Sequence, residues 1–146
     1  MRVFLAGVIQ GSQPHSGIHN QGYRHQIASM LRQVVADIEI IDPHLRHPER
    51  FGMDRDGQRS LFLRYVAEAA EVDLLIAYLP TASMGTAVEM WAAYRVGVPI
   101  ITVSPLRDNW VVFSLSTAVV PDIDALRDHL LRESLPVAGV NRVTPR

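Results

Sequence analysis

VDLLIAYLPTASMGTAVEM, residues 72–90, contains a strand, a tight turn and the first half of a helix. Residues 72–79 form a nearly unbroken apolar run ended by a proline, which is typical of a parallel strand buried on both faces. Good helix formers follow over residues 84–96, where a glycine ends the helix. Ser83 stands immediately before this helix and is its predicted N-cap. A strand–turn–helix unit of this kind predicts an α/β fold with a parallel sheet.

The same alternation of strand and helix extends over the rest of the chain, without an internal repeat or a dividing linker. The predicted strands are 2–6, 38–41, 74–79, 99–103 and 118–120, and the predicted helices are 22–36, 58–71, 84–96 and 122–132. Right-handed crossovers then predict a three-layer, flavodoxin/Rossmann-like α/β fold with a parallel five-stranded sheet in the order 2-1-3-4-5. We expect a single domain over residues 1–132 and a C-terminal tail over residues 133–146.

The composition indicates a globular protein, with 146 residues, 48% hydrophobic content and a net charge of -1. Its 14 basic residues are scattered, so we expect no nucleic-acid polymer as partner. The absence of cysteine excludes disulfides and thiolate chemistry, and the six histidines form no convincing ligand set, so we expect neither a metal nor a cofactor. No apolar run reaches about 18 residues, which predicts a cytoplasmic protein without membrane contact.

The order 2-1-3-4-5 places the topological switch point between the first and third strands, where folds of this type bind ligands. The loops that meet there are residues 7–12, GVIQGS, and residues 80–83, PTAS. Gln10 and Ser12 are candidate phosphate contacts; alternatively, the first loop only turns the chain. The polar segment 43–57 is either a lid over this crevice or a solvated connection.

The start of the helix at residue 84 has the features of an anion-binding site. Its unpaired N–H groups and partial positive charge favour a phosphate, and Gly85 allows a ligand to approach the backbone. Glu89 lies on the same face as Gly85, about 9 Å along the axis from Ser83. That spacing suits a nucleotide with its 5′-phosphate at the cap and its C1′ near the carboxylate. The alternative is that Ser83 only caps the helix and Glu89 is an ordinary solvated residue.

These residues resemble motifs of the nucleoside 2-deoxyribosyltransferase superfamily, which includes 2′-deoxynucleoside 5′-phosphate N-hydrolases and cytidylate N-glycosidases. The resemblance extends from the first strand to about Pro105. It rests on Gly7-x-x-x-Gly11, Tyr23, Asp73 and Ser83-x-Gly85-x-x-x-Glu89.

The resemblance implies an enzyme that cleaves or transfers at the N-glycosidic bond of a nucleoside through a covalent glycosyl-glutamate intermediate. Glu89 would be the nucleophile and Tyr23 would position the carboxylate or the sugar. Serine rather than aspartate at position 83 favours a nucleoside 5′-monophosphate. The candidate substrate-binding residues are Gly7, Ile9, Gln10, Gly11, Tyr65, Ser83, Gly85, Thr86 and Asn109. A homodimer or higher homo-oligomer is expected, with residues 109–116 completing the neighbour's pocket.

One position departs from the family's pattern. The family commonly has a sugar-binding aspartate where this chain has Tyr65. Three interpretations are open. Asp54 or Asp56 takes the role of that aspartate, the sugar chemistry differs from that of the family, or activity is lost and the domain is a catalytically silent nucleotide sensor. Gly85-Thr86-x-x-Glu89 also resembles part of the motif of lysine-decarboxylase-like phosphoribohydrolases, a second candidate class with nearly the same chemistry. Trp110 either closes the pocket or packs in a core or subunit interface.

Overall fold

The computed structural model describes residues 1–14, 17–133 and 135. The strands are β1 (Arg2–Gly7), β2 (Glu39–Ile41), β3 (Leu74–Tyr78), β4 (Ile100–Val103) and β5 (Ala118–Val120). The helices are α1 (Gly22–Val34), α2 (Pro43–Arg46), α3 (Arg55–Ala69), α4 (Met84–Arg95), α5 (Trp110–Leu115) and α6 (Ile123–Arg132), with a 3-10 turn at Arg50–Gly52. The predicted tail lies outside the described residues, apart from residues 133 and 135.

The sheet confirms the predicted fold. All its strands are parallel and their order is β2-β1-β3-β4-β5. In β1 and β3, Val3 pairs with Leu74 and Gly7 pairs with Tyr78, so the two strands end together at one edge. The carboxyl ends of these central strands therefore meet where the crevice was expected.

Alternation along the strands divides the apolar core into two layers, one on each face of the sheet. Phe4 and Ala6 of β1 belong to the layer under α3 and α4. Val3 and Leu5 belong to the layer under α1 and α6. Both faces are covered by helices, which explains why the central strands are continuously apolar.

Capping residues set the beginnings of several helices. Ser83 caps α4 as expected, by accepting a hydrogen bond from the backbone N–H of Thr86, and Asp122 caps α6 by accepting one from the N–H of Ala125. Helix α3 begins at Arg55, three residues earlier than predicted, because Asp54 caps it by accepting a hydrogen bond from the N–H of Gly57 at 2.8 Å.

Two short helices were not predicted. Asp42 caps α2, where Pro43 occupies the first helical position, and Asn109 caps α5. Both helices are too short to show a periodic apolar pattern. Helix α1 ends two residues earlier than expected, since the chain turns at Asp37, which has a φ of 53°.

A buried ion pair ties α1 to the carboxyl ends of the sheet. Arg24 is 2% exposed, and its Nη1 donates to the Asp42 carboxylate and to the carbonyl of Leu5, both at 2.9 Å. Nη2 donates to the carbonyl of Gly7 at 3.3 Å, and Nε donates to the Gln21 side chain at 2.7 Å. Arg24 therefore joins α1, the end of β1 and the loop after β2.

We predict that Arg24→Met lowers the free energy of unfolding by about 3–5 kcal/mol, because it leaves the Asp42 charge buried without its partner. The matched control is Arg127→Met, which breaks the exposed pair with Asp124 and should change stability by less than about 0.5 kcal/mol. Urea unfolding followed by circular dichroism measures both. Equal, small losses would show that the buried pair does not hold these elements together.

Candidate active site

A cavity of about 400 Å³ opens at the carboxyl ends of β1 and β3. Its wall includes every predicted catalytic or substrate-binding residue except Tyr23 and Asn109. These residues are Gly7, Ile9, Gln10, Gly11, Tyr65, Ser83, Gly85, Thr86 and Glu89. Its other lining residues are Pro43, Arg50, Phe51, Gln58, Leu61, Phe62, Met84 and Val88. The volume falls within the range of about 300–1,000 Å³ that is usual for small-molecule sites.

The N-terminus of α4 forms one side of the cavity. Ser83 Oγ accepts hydrogen bonds from Thr86 N at 3.4 Å and from Thr86 Oγ1 at 3.1 Å. Because Oγ acts twice as acceptor, its own proton is available for a ligand. A Cβ added to Gly85 would meet only the ring of Phe62, at 3.7 Å. The backbone at Gly85 is therefore open, and the absence of a side chain there is not required by packing.

Glu89 lies one turn further along α4, inside the cavity. Its side chain is buried, with 9% of the residue exposed, and no hydrogen bond or ion pair joins its carboxylate to another described residue. Burial raises its pKa from the ordinary 4.5 to about 8, although the positive charge of Arg24 acts in the opposite direction. The carboxyl group is thus mostly protonated at neutral pH.

Tyr23 lies beneath the loop that follows β1. A Cβ on Gly7 would overlap the Tyr23 hydroxyl, so glycine is needed here to admit the phenol rather than a ligand. The hydroxyl donates to the carbonyl of Val8 at 3.4 Å, and the ring stacks on Tyr78. Burial raises the pKa of Tyr23 well above its usual range; Arg24 opposes that rise, and Asp42 and Glu89 add to it. Tyr23 therefore remains a neutral hydrogen-bond donor whose hydroxyl is influenced by the Glu89 charge.

The remainder of the β1 loop is held by its own hydrogen bonds. Gly11 has a φ of +56°, and a Cβ there would come within 2.9 Å of His19 and Val8, so this glycine is required. The N–H of His19 donates to the carbonyl of Ile9 at 2.8 Å. Gln10 and Ile9 thereby stay at the cavity wall. Ser12 is exposed and is not among the described lining residues.

The opposite wall comes from the 3-10 turn and α3, and sequence reasoning identified only Tyr65 there. Arg50, Phe51, Gln58 and Phe62 lie in segments without a clear apolar period. Asp54 and Asp56, the candidate substitutes for the family's aspartate, are exposed and not among the described lining residues, and Asp54 serves as the cap of α3. Tyr65 does line the cavity and is 5% exposed.

Asn109 lies outside the main cavity. Its side-chain oxygen accepts from the N–H groups of Val111 and Val112, so it caps α5. Asn109 lines a smaller neighbouring cavity of about 260 Å³. The two cavities share the lining residues Gly11, Ser83 and Met84. Trp110 is 81% exposed and therefore does not pack in the core of this chain.

Sequence reasoning also missed Arg24 and Asp42, the buried ion pair at the carboxyl ends of β1 and β2 beside the cavity. A signal was present: Arg24 lies three, four and seven residues before Ile27, Ala28 and Leu31 on the buried face of α1, where a charged group needs a partner. Asp42 directly follows a buried strand residue.

Across the described residues, no group of three or more metal-ligating side chains is assembled, and no helix among them is long and apolar enough to cross a bilayer.

Comparison with solved structures shows a shared fold. A 2-deoxyribosyltransferase from Bacillus psychrosaccharolyticus matches with a TM-score of 0.65 and 17% identity, over 88% of this chain and 91% of that one. A conserved protein from Enterococcus faecalis V583 matches with a TM-score of 0.62 and 20% identity, over 89% and 96% of the two chains. A CMP N-glycosidase from Clostridium botulinum matches with a TM-score of 0.51 and 19% identity, over 89% and 98%.

No protein-family model and no curated protein sequence matches this chain. Two of the three solved structures belong to the kinds of enzyme that Ser83-x-Gly85-x-x-x-Glu89 resembles. At such low identities the likeness establishes the architecture, and the chain has the fold of these nucleoside-processing enzymes.

The buried carboxyl group predicts a pH-dependent cost in stability. The folded-state pKa of about 8 exceeds the unfolded value of 4.5, so the folded state binds more protons between these pH values and loses stability as the pH rises through them. Glu89→Gln removes this dependence and should stabilise the fold, increasingly from pH 4.5 to 8, by up to about 5 kcal/mol.

Chemical unfolding at several pH values measures the difference between Glu89→Gln and the wild-type protein. The control is Glu71→Gln at an exposed position, for which the difference should not depend on pH. A constant difference for Glu89→Gln across this range would show that Glu89 titrates like an exposed glutamate.

Proposed function

We propose that this protein cleaves the N-glycosidic bond of a nucleoside 5′-monophosphate, or transfers its glycosyl group, through a covalent bond between Glu89 and C1′. One observation carries the proposal: Glu89 is a buried carboxyl group without a hydrogen-bond partner among the described residues, one turn inside a helix whose N-terminus opens into the same cavity. The similar folds of a 2-deoxyribosyltransferase and a CMP N-glycosidase support the same reaction class.

The reaction has two steps. An ionised oxygen of Glu89 bonds to C1′ as the bond from C1′ to the base breaks and its electron pair leaves with the base. Water, or a second base, then attacks C1′ and loses a proton to solvent, the bond to Glu89 breaks to regenerate the carboxylate, and the departed base takes up a proton from solvent.

The phosphate would bind at the N-terminus of α4. The Ser83 hydroxyl has a free proton to donate, and the Gly85 backbone is accessible from the cavity. The helix N-terminus adds a favourable field for a dianion. Binding energy from this remote group would orient C1′ against Glu89.

Tyr23 and Arg24 would act through Glu89 rather than on the substrate. The Arg24 charge favours the ionised carboxylate, and the neutral Tyr23 hydroxyl, whose pKa is influenced by the Glu89 charge, would help to orient it. We assign them as positioning residues. A purely sensory module has no need of a buried carboxyl group that lowers stability, which favours an enzyme over a silent nucleotide-binding domain.

Base release should depend on ionised Glu89. We expect kcat/KM to rise about tenfold per pH unit below pH 8 and to level off above it, because the protonated carboxyl group cannot attack C1′. Chromatography of nucleoside monophosphate reactions measures the free base. Glu89→Gln should abolish release while the protein stays folded, whereas Glu71→Gln should not. Release that falls with rising pH would instead make Glu89 an acid.

Ser83→Ala should weaken a 5′-monophosphate far more than the matching free nucleoside. The change removes one charge-assisted hydrogen bond, worth about 1.5–3 kcal/mol, or about 10- to 150-fold in kcat/KM. The control is Ser60→Ala at an exposed position of α3. An equal loss for both substrates would place the phosphate elsewhere.

A further inference from the structure

We propose that Arg50 and Tyr65 form the leaving-group subsite of this cavity and select a base that carries a carbonyl oxygen next to its glycosidic nitrogen. This inference rests on the proposed function and specifies the base. Its starting point is two buried hydrogen-bond donors, Arg50 Nε and the Tyr65 hydroxyl, for which no acceptor is found among the described residues. Both belong to residues that line the cavity. A ligand acceptor is what such donors lack.

Arg50 is fixed in place by its other nitrogen atoms. Its Nη1 donates to the carbonyls of His47 and His44, at 2.8 and 3.4 Å. Its Nη2 donates to Nδ1 of His44 at 2.7 Å, and the lowered pKa of His44, caused by burial and by the Arg50 charge, keeps that nitrogen an acceptor. The guanidinium is thus anchored to α2 and to the residue that follows it, and Nε remains for a ligand.

Tyr65 is fixed by packing. Its ring makes edge contacts with Phe4 and His47, with ring centroids 6.3 and 5.9 Å apart. Burial raises its pKa, so the phenol stays protonated and can donate. Tyr65 and Arg50 line the same cavity.

The surroundings suit a flat heterocycle better than a phosphate. The Phe51 ring centroid is 4.9 Å from the Arg50 guanidinium carbon, and Leu61 lies one turn before Tyr65 on α3, so apolar side chains of the cavity wall adjoin both donors. Arg50 Nε offers a single buried N–H, which matches one carbonyl oxygen rather than the several oxygens of a dianion.

The chemistry explains why such donors are useful. When the C1′–N bond breaks, its electron pair stays on the base, and in a 2-oxopyrimidine that charge spreads directly onto the oxygen beside the scissile nitrogen. Arg50 and Tyr65 would stabilise the charge by donating to this oxygen. Water then supplies the proton that the departing base takes up.

A purine needs different help. It has no carbonyl next to its glycosidic nitrogen, and its departure is assisted by protonation of the ring. Of the described cavity-lining residues, none is an aspartate or a histidine, and the lone acid is the nucleophile Glu89. The cavity therefore favours pyrimidine over purine nucleotides.

The test measures base release from pyrimidine and purine 5′-monophosphates, in both the ribo and 2′-deoxyribo series, together with 5-fluoro- and 5-methyluridine monophosphates. We expect the wild-type protein to prefer pyrimidines. Tyr65→Phe should lower kcat for them by about 10- to 100-fold, and Arg50→Met by about 100-fold or more. Because both variants remove stabilisation of the leaving group, the rate ratio of the 5-fluoro to the 5-methyl substrate should increase.

Matched controls are Tyr94→Phe and Arg59→Met, which change the same side chains at partly or fully exposed positions outside the cavity. Tyr65→Phe removes a buried donor without a described partner, so its melting temperature should not fall. Arg50→Lys keeps the positive charge and replaces Arg50→Met if that variant fails to fold. It should also increase the rate ratio of the 5-fluoro to the 5-methyl substrate.

The outcomes separate the two proposals. If the wild-type protein releases no base from any substrate, the proposed function is wrong and this inference falls with it. If it releases bases but purines are cleaved as well as pyrimidines, or the variants leave the 5-fluoro to 5-methyl ratio unchanged, only the leaving-group subsite is wrong. A loss in Arg50→Met for monophosphates but not for free nucleosides would make Arg50 a phosphate ligand instead.

Discussion

The buried guanidinium of Arg24 is the interaction on which the site depends. It binds the carbonyls of Leu5 and Gly7 at the end of β1 and the carboxylate of Asp42 after β2, so it fixes the two chain segments that leave the sheet at the cavity. Asp42 in turn caps α2 and so sets the course of the chain towards Arg50. The same positive charge favours ionisation of Glu89. One buried pair thus fixes the end of β1 and the start of α2, and its positive charge lowers the pKa of the carboxyl group against the effect of burial.

Glu89 shows how reactivity and stability oppose each other in this fold. A carboxylate in water would be a weak nucleophile surrounded by solvent, whereas the cavity removes that solvent and raises the energy of the charged form. Met90 and Ala93 on the same helix are fully buried in the apolar layer that surrounds this part of α4. A buried titratable group in a cleft, with a pKa far from its ordinary value, is typical of functional sites.

The sequence was sufficient to predict what depends on local patterns. The alternation of strands and helices predicted the sheet order. The apolar run of β3 and the cap at Ser83 predicted the helix that bears Glu89. Arg50, Phe51 and Phe62 were not identified, because tertiary contacts rather than periodicity bring them to the cavity. Gly57 obscured the true start of α3, since the capping carboxylate of Asp54 outweighs the low helix propensity of glycine. The buried donors of Arg50 and Tyr65 could not be predicted either, because whether a polar atom finds an acceptor depends on tertiary contacts.

The strand order also determines when the cavity can exist during folding. β1 and β3 are neighbours in the sheet, yet α1, β2, α2 and α3 separate them along the chain, so their pairing closes a long loop and is slow compared with local steps. The loop after β1 lies at the start of this long segment of chain, and the helix after β3 follows its end. The two sides of the cavity therefore come together only when the two strands pair. The cavity exists only once β1 and β3 have paired, and a chain in which they have not paired leaves Glu89 outside any enclosed pocket.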